Sequence, residues 1–238
     1  MTTGYTEGNV MSELRTIAVL GATGMVGSRV VKEAGARGRR VLALSRKPAS
    51  DSPLVTPVAV DAHDRQALRK TLENLAAQGG APPVAVPDAV VVTLRTLPVD
   101  PDFLVGATRT VLEVAARHGI RVLVVGGAGA LRSPGDPDLL VADDPRYVPP
   151  EYRAVAAAGI AQLRACQAHS AADWVYLSPP VDLEPGERTG RYRRGRDALL
   201  TTPDGHSWIS AEDLAVAALD ELDAPGPERH FTVVHHDG

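Results

Sequence analysis

Apolar positions recur along this chain in two alternating patterns. Short runs that are almost wholly apolar, Thr16-Ile17-Ala18-Val19-Leu20, Arg40-Val41-Leu42-Ala43-Leu44, residues 55–60 and residues 88–93, read as buried strands. Between them lie stretches with apolar residues at helical spacing: residues 25–36, 65–77 and 101–118. Asp100-Pro101 offers a capping side chain followed by proline at the first helical position, and Gly119 closes the same helix. Residues 121–125 predict a fifth strand, residues 151–170 a helix interrupted at Gly159, and residues 173–177 a sixth strand. Strand and helix alternating from 16 to 177 predict an α/β Rossmann fold, a doubly wound parallel sheet covered on both faces.

Beyond the sixth strand the pattern changes. Residues 186–192 predict a short hairpin and residues 208–209 a short strand. Ser210-Ala211-Glu212-Asp213 predicts the capped start of a helix running through Leu222, and residues 231–234 a closing strand. This C-terminal portion, residues 178–234, is expected to form a small substrate-side subdomain within a single domain of residues 15–238. Residues 1–14 are expected to be a disordered tail, with Met11 as an alternative start, and residues 78–87 a surface loop. Residues 131–150, rich in proline and aspartate, predict a long irregular loop of the kind that serves as a lid.

Composition narrows the partners more than the chemistry. With 25 basic against 29 acidic side chains in 238 residues, the chain carries no nucleic-acid footprint. A local group, Arg188, Arg191, Arg193, Arg194 and Arg196, reads first as a solvated face and only second as an anion site. The single cysteine, Cys166, forms no internal disulfide and reads as a small buried hydrophobe. No apolar run is long enough to cross a membrane, and the first fifteen residues hold no secretory core. A cytoplasmic protein acting on a small molecule, without membrane or nucleic-acid partners, is expected. His235-His236, in a terminal tail, reads as incidental rather than as a metal site, so no metal is expected.

The chemistry begins at Gly21-Ala22-Thr23-Gly24-Met25-Val26-Gly27, directly after the first strand. Glycines at this spacing permit a tight turn, close approach of backbone to a pyrophosphate, and close packing of helix on strand. The following helix start then holds the phosphates. At the end of the second strand, where a carboxylate would select a free ribose hydroxyl, stand Ser45, Arg46 and Lys47. These suit a 2′-phosphate, so the expected cofactor is NADP(H). Asp61 and Ala62 lie where the adenine edge would sit, and His63 reads as a polar loop residue. Thr93, Leu94 and Arg95, with Gly126 and Gly127, lie at strand ends that the nicotinamide must pass. Ser178, Pro179 and Pro180 complete the expected cofactor contacts.

Hydride transfer also needs an acid for the atom left negative. No lysine lies beyond Lys70, so a Tyr-x-x-x-Lys pair after the fifth strand is impossible. Tyr192-Arg193-Arg194-Gly195-Arg196 has a similar spacing but follows the sixth strand. The remaining candidates are Tyr152, the first choice, then Ser178, with Arg95, Thr93, Tyr192 or solvent behind them.

The chain resembles the atypical short-chain dehydrogenase/reductase group that includes NmrA-like proteins and biliverdin IXβ (flavin) reductase. Besides the glycine turn, the likeness rests on Val124-Val125-Gly126-Gly127-Ala128-Gly129, Tyr176-Leu177-Ser178-Pro179-Pro180, residues 184–192 and residues 209–214. It implies a Rossmann domain with NADPH as cofactor, in a monomer or loose homodimer. The flavin reductases of the group use a serine after the fifth strand and a histidine after the Pro-Pro. The matching positions here are Gly129 or Ala130, and Val181, and none can give a proton. Three functions remain open: an NADPH-dependent reductase of a flat conjugated acceptor, a non-catalytic NADP(H)-sensing regulator, or a redox-neutral epimerase or isomerase.

Overall fold

The computed structural model describes residues 15–48, 50, 52–77, 86–96 and 98–236. The predicted tail and most of the predicted 78–87 loop lie outside the described residues. The first half alternates β1 (Thr16–Leu20), α1 (Met25–Ala36), β2 (Arg40–Ser45), β3 (Val55–Ala59), α2 (Arg65–Ala77), β4 (Ala89–Val92), α3 (Pro101–His118) and β5 (Arg121–Val125). Then follow β6 (Arg132–Ser133), β7 (Asp136–Leu140), α4 (Arg153–Gln167), β8 (Trp174–Ser178), β9 (Asp182–Glu184), β10 (Tyr192–Gly195), β11 (Trp208–Ser210), α5 (Ala211–Asp223) and β12 (His230–His235).

Eight of the described strands form one sheet in the order β10-β12-β8-β5-β4-β1-β2-β3, parallel except where β10 runs against β12. The order reverses between β1 and β4, so both connections leave a crevice at the carboxyl ends of those strands. One face buries Val30, Leu214 and Leu219 of α1 and α5 against Ile17, Val91 and Phe231. The other buries Leu68, Leu112 and Leu163 of α2, α3 and α4 against Leu42, Val90 and Tyr176. Because both faces are covered, β1, β4 and β8 are buried at every residue, which is why they read as unbroken apolar runs.

Several expectations need correction. Residues 186–192 make no hairpin: β9 pairs with β11 in a small separate sheet, and β10 joins the main sheet on β12. The crossing between them is held by Arg188, whose guanidinium donates to Glu33 of α1 at 2.7 and 2.8 Å. The arginines there are therefore not simply a solvated face. Arg194 pairs with buried Glu221, and Arg196 with Glu228 at 3.0 Å. Residues 131–150 are more than irregular loop, since β6 and β7 form a short hairpin over a small core of Leu131, Val141, Val148, Ala156 and Leu199. A short 3-10 turn covers Pro150–Tyr152, and α4 then runs through Gly159 without interruption. A Cβ there would meet the Gly127 backbone at 3.6 Å, an ordinary contact, so the helix passes this glycine without a break.

Candidate cofactor site

The phosphate turn is built by contacts that leave no room for side chains. The Gly21 and Ala22 amides both donate to the Leu44 carbonyl, at 3.0 and 3.2 Å, and Gly24 N donates back to Gly21 O at 2.9 Å. Gly21 has a φ of 89°, and a Cβ on it would come within 2.9 Å of both the carbonyl and hydroxyl oxygens of Thr93. A Cβ on Gly27 would be driven into the Gly21 carbonyl. Thr93 closes the turn from β4's side, its hydroxyl donating to Leu20 O at 3.0 Å. Gly24 caps α1 with no side-chain bond, and no acid stands in the first turn. Among the described residues nothing accepts from the amides of Met25, Val26 and Gly27. A pyrophosphate would fit there, and Thr23, Met25 and Val26 lie at the same turn.

At the end of β2, Ser45 Oγ is buried with no hydrogen-bond partner among the described residues, and Arg46 and Lys47 stand exposed beyond it. Asp61 follows β3 and accepts from His63 N at 3.0 Å and lies 3.1 Å from its Nδ1. That backbone bond, then the imidazole and more weakly the Arg46 charge, hold the Asp61 carboxyl below its ordinary value. The His63 ring stacks on Phe103 with centroids 3.9 Å apart, a wall beside buried Ala62. Asp64 caps α2, accepting from Gln66 and Ala67 amides at 3.0 and 2.9 Å.

Gly126 and Gly127 follow β5, beside the end of β8. A Cβ on Gly126 would be driven into the Tyr176 hydroxyl, whereas one on Gly127 would meet open space. Ser178, Pro179 and Pro180 are buried where β8 ends. Ser178 Oγ donates to the Gly127 carbonyl at 3.0 Å and lies 2.9 Å from His230 Nε2. Its hydroxyl is thus engaged with backbone and ring. Leu94 packs on the core beside α3, and Arg95 is exposed at the rim.

The donor candidates separate clearly. Tyr152 stands at the head of α4, 56% exposed, with Val155 one turn on and also exposed. Tyr192 donates to Asp220 of α5 at 2.7 Å. Burial, then that carboxylate, pushes its phenol well above the ordinary value, so it is withdrawn as a proton donor. Cys166 is buried and its thiol is pushed up to about 12 by burial, as a packing residue would be. Among the described residues no cluster of three or more His, Cys, Asp or Glu is placed to hold a metal. None of the described helices is long and apolar enough to cross a membrane.

The sequence reading missed Gly159, Tyr176 and His230 as parts of this site. Only the Tyr-Leu-Ser-Pro-Pro run hinted at Tyr176, and nothing local marked His230.

The NAD(P)H-binding family profile matches residues 21–225, from the first glycine of the turn to the end of α5. The chain belongs to the NAD(P)H-binding family. It is 34% identical over 222 residues to the uncharacterized protein YwnB of Bacillus subtilis (strain 168), covering 92% of this chain and 97% of that one. A candidate NADH-flavin reductase from Streptococcus pneumoniae TIGR4 superposes with a TM-score of 0.78 at 26% identity, covering 93% of this chain and 100% of that one. A candidate epimerase from Bacteroides thetaiotaomicron superposes at 0.80 with 29% identity, covering 95% and 99%. The anaerobilin reductase ChuY of Escherichia coli O157:H7, at 19% identity and a TM-score of 0.66 over 94% and 98% of the chains, shares the fold.

Proposed function

We propose that this NAD(P)-dependent oxidoreductase transfers hydride from NADPH to a small, flat, conjugated acceptor such as a flavin or quinone. The bare start of α1 carries the cofactor half of the reading. The preference for NADPH over NADH rests on Arg46 and Lys47 standing exposed at the end of β2. The acceptor class rests on likeness to the candidate NADH-flavin reductase and on the small residues at Gly126–Ala130. When bound, the nicotinamide would supply the hydride. The chain's own part is to hold the two flat groups together and keep water out, which accounts for most of the expected rate. Tyr152, exposed at the head of α4, is the residue proposed to protonate the reduced acceptor, with solvent sufficing where the reduced anion is already stable.

A second reading, redox-neutral epimerisation through transient hydride transfer, is favoured by the likeness to the candidate epimerase. NADPH absorbance decay with FMN, riboflavin and a quinone panel separates the two. Steady oxidation that Tyr152→Phe slows supports the reductase. Tight binding without turnover on any acceptor contradicts it and leaves epimerisation or a non-catalytic NADP(H) sensor.

A further inference from the structure

At the carboxyl ends of β5 and β8, Gly127 is held by a side chain of β8. Ser178 Oγ donates to the Gly127 carbonyl at 3.0 Å. Two residues apart on a strand, Tyr176 and Ser178 leave the same face of the sheet. The Tyr176 hydroxyl in turn donates to Gly159 O of α4 at 2.9 Å. Gln162, one turn further along α4, donates to Thr108 of α3 at 3.0 Å. A Cβ on Gly127 would meet nothing within 4 Å, so its Cα faces open space while its carbonyl is bonded to Ser178.

Hydrogen order follows from the acceptors. A carbonyl only accepts, so the single Ser178 hydrogen is committed to Gly127. His230 Nε2, 2.9 Å from Ser178 Oγ, must then carry a hydrogen and donate it. Burial holds His230 below its ordinary value, against the pull of Asp197, so the ring is neutral with its proton on Nε2. The Tyr176 ring meets the imidazole edge-on at 5.5 Å and fixes its plane. Ser178 is fully buried, so its hydroxyl has neither a spare hydrogen nor an open path to the crevice.

We propose that Ser178 and His230 are positioning residues that lock the Gly127 peptide as the rest on which the nicotinamide end of the cofactor lies, and that Ser178 is not the acid. This deepens the function proposed above and rests on its placing of the nicotinamide across the ends of β5 and β8.

The test compares two ligands on Ser178→Ala, His230→Leu and His230→Gln, with thermal melting alongside. NADPH reports the whole site, whereas 2′,5′-ADP carries the adenosine and its phosphates but no nicotinamide. Ser178→Ala and His230→Leu are expected to weaken NADPH binding about 5- to 10-fold, the size of one lost hydrogen bond, and to leave 2′,5′-ADP unchanged. His230→Gln, whose amide can still donate to Ser178, retains NADPH affinity within about 2-fold. Unchanged NADPH affinity in Ser178→Ala, or equal weakening of both ligands, overturns the positioning role. Equal behaviour of His230→Gln and His230→Leu removes His230 from it. Should Ser178→Ala fail to fold, the two His230 variants decide alone. Absence of NADPH binding by the unaltered protein overturns the cofactor reading itself, and that result is seen before any variant is made.

Discussion

Helices α1 and α5 lie side by side on one face of the sheet and begin in opposite ways. At α5 the capping hydroxyl and both first-turn acids are engaged. Ser210 Oγ accepts from Asp213 N at 3.0 Å and donates to the Glu187 carbonyl at 2.8 Å. Asp213, buried, accepts from Gly190 N at 2.8 Å and from the Thr189 hydroxyl. Glu212 accepts from Gly186 N at 2.7 Å and pairs with Arg29 of α1 at 2.9 Å. At α1 a glycine caps without a side chain, and no acid stands in the first turn. The same element of secondary structure begins as a joint in one place and without a capping side chain in the other. Local side chains decide which: the Ser210 hydroxyl caps α5 while the Glu212 and Asp213 carboxylates tie it to residues 186–190, whereas Gly24 brings α1 no capping side chain.

The most damaging change is expected at the bare start. Gly27→Ala pushes a methyl group into the Gly21 carbonyl, so NADPH binding should fall at least about 100-fold and the fold lose about 1–3 kcal/mol. Titration beside thermal melting reads both, and retained affinity would show that the turn is not the phosphate site.

Next in size is the clamp that ties the joint to α1. Arg188, with Arg37 in support, holds the buried Glu33 carboxyl down at about 2, against 4.5 in a free chain. A depressed acid contributes its full stability above about pH 4.5 and loses it as pH falls through about 2. Glu33→Gln should therefore cost about 2–3 kcal/mol at pH 7 and much less near pH 2. Denaturant melts at the two pH values check this, and a cost independent of pH would contradict it.

A smaller effect belongs to the cap of α5. Ser210→Ala should cost about 1 kcal/mol in the same melts while NADPH affinity stays unchanged. Smallest is the change that makes α1 resemble α5. Ser28→Asp puts an acid in its first turn, which should raise stability by about 0.3–1 kcal/mol yet weaken NADPH binding. Opposite signs from one substitution would sharpen the contrast; stronger binding would break it.

What could be read from sequence divides along the same line. The α1, α2 and α3 bounds, the Asp100 cap and the Gly119 stop were all legible, because each is decided by residues a few positions apart. Gly119 adopts φ 66° and Asp100 accepts from Phe103 N at 2.9 Å, as the local pattern required. The joint was not legible. Arg188 and Glu33 are 155 residues apart, and nothing near residue 188 announces a carboxylate on α1. Likewise Gly126 must be glycine because Tyr176, on the next strand over, places its hydroxyl there. The interruption expected at Gly159 did not occur, since α4 carries a single glycine through its middle without a break. His230 reaches Ser178 only because β12 lies beside β8.

The central claim is that the bare start of α1 and the cations after β2 together hold NADPH. Fluorescence titration of NADPH and NADH on the unaltered protein and on Arg46→Ala tests it most directly. The account predicts tighter NADPH than NADH, with Arg46→Ala weakening NADPH about 10-fold or more and barely moving NADH. Equal loss for both nucleotides, or no binding of either, would contradict it.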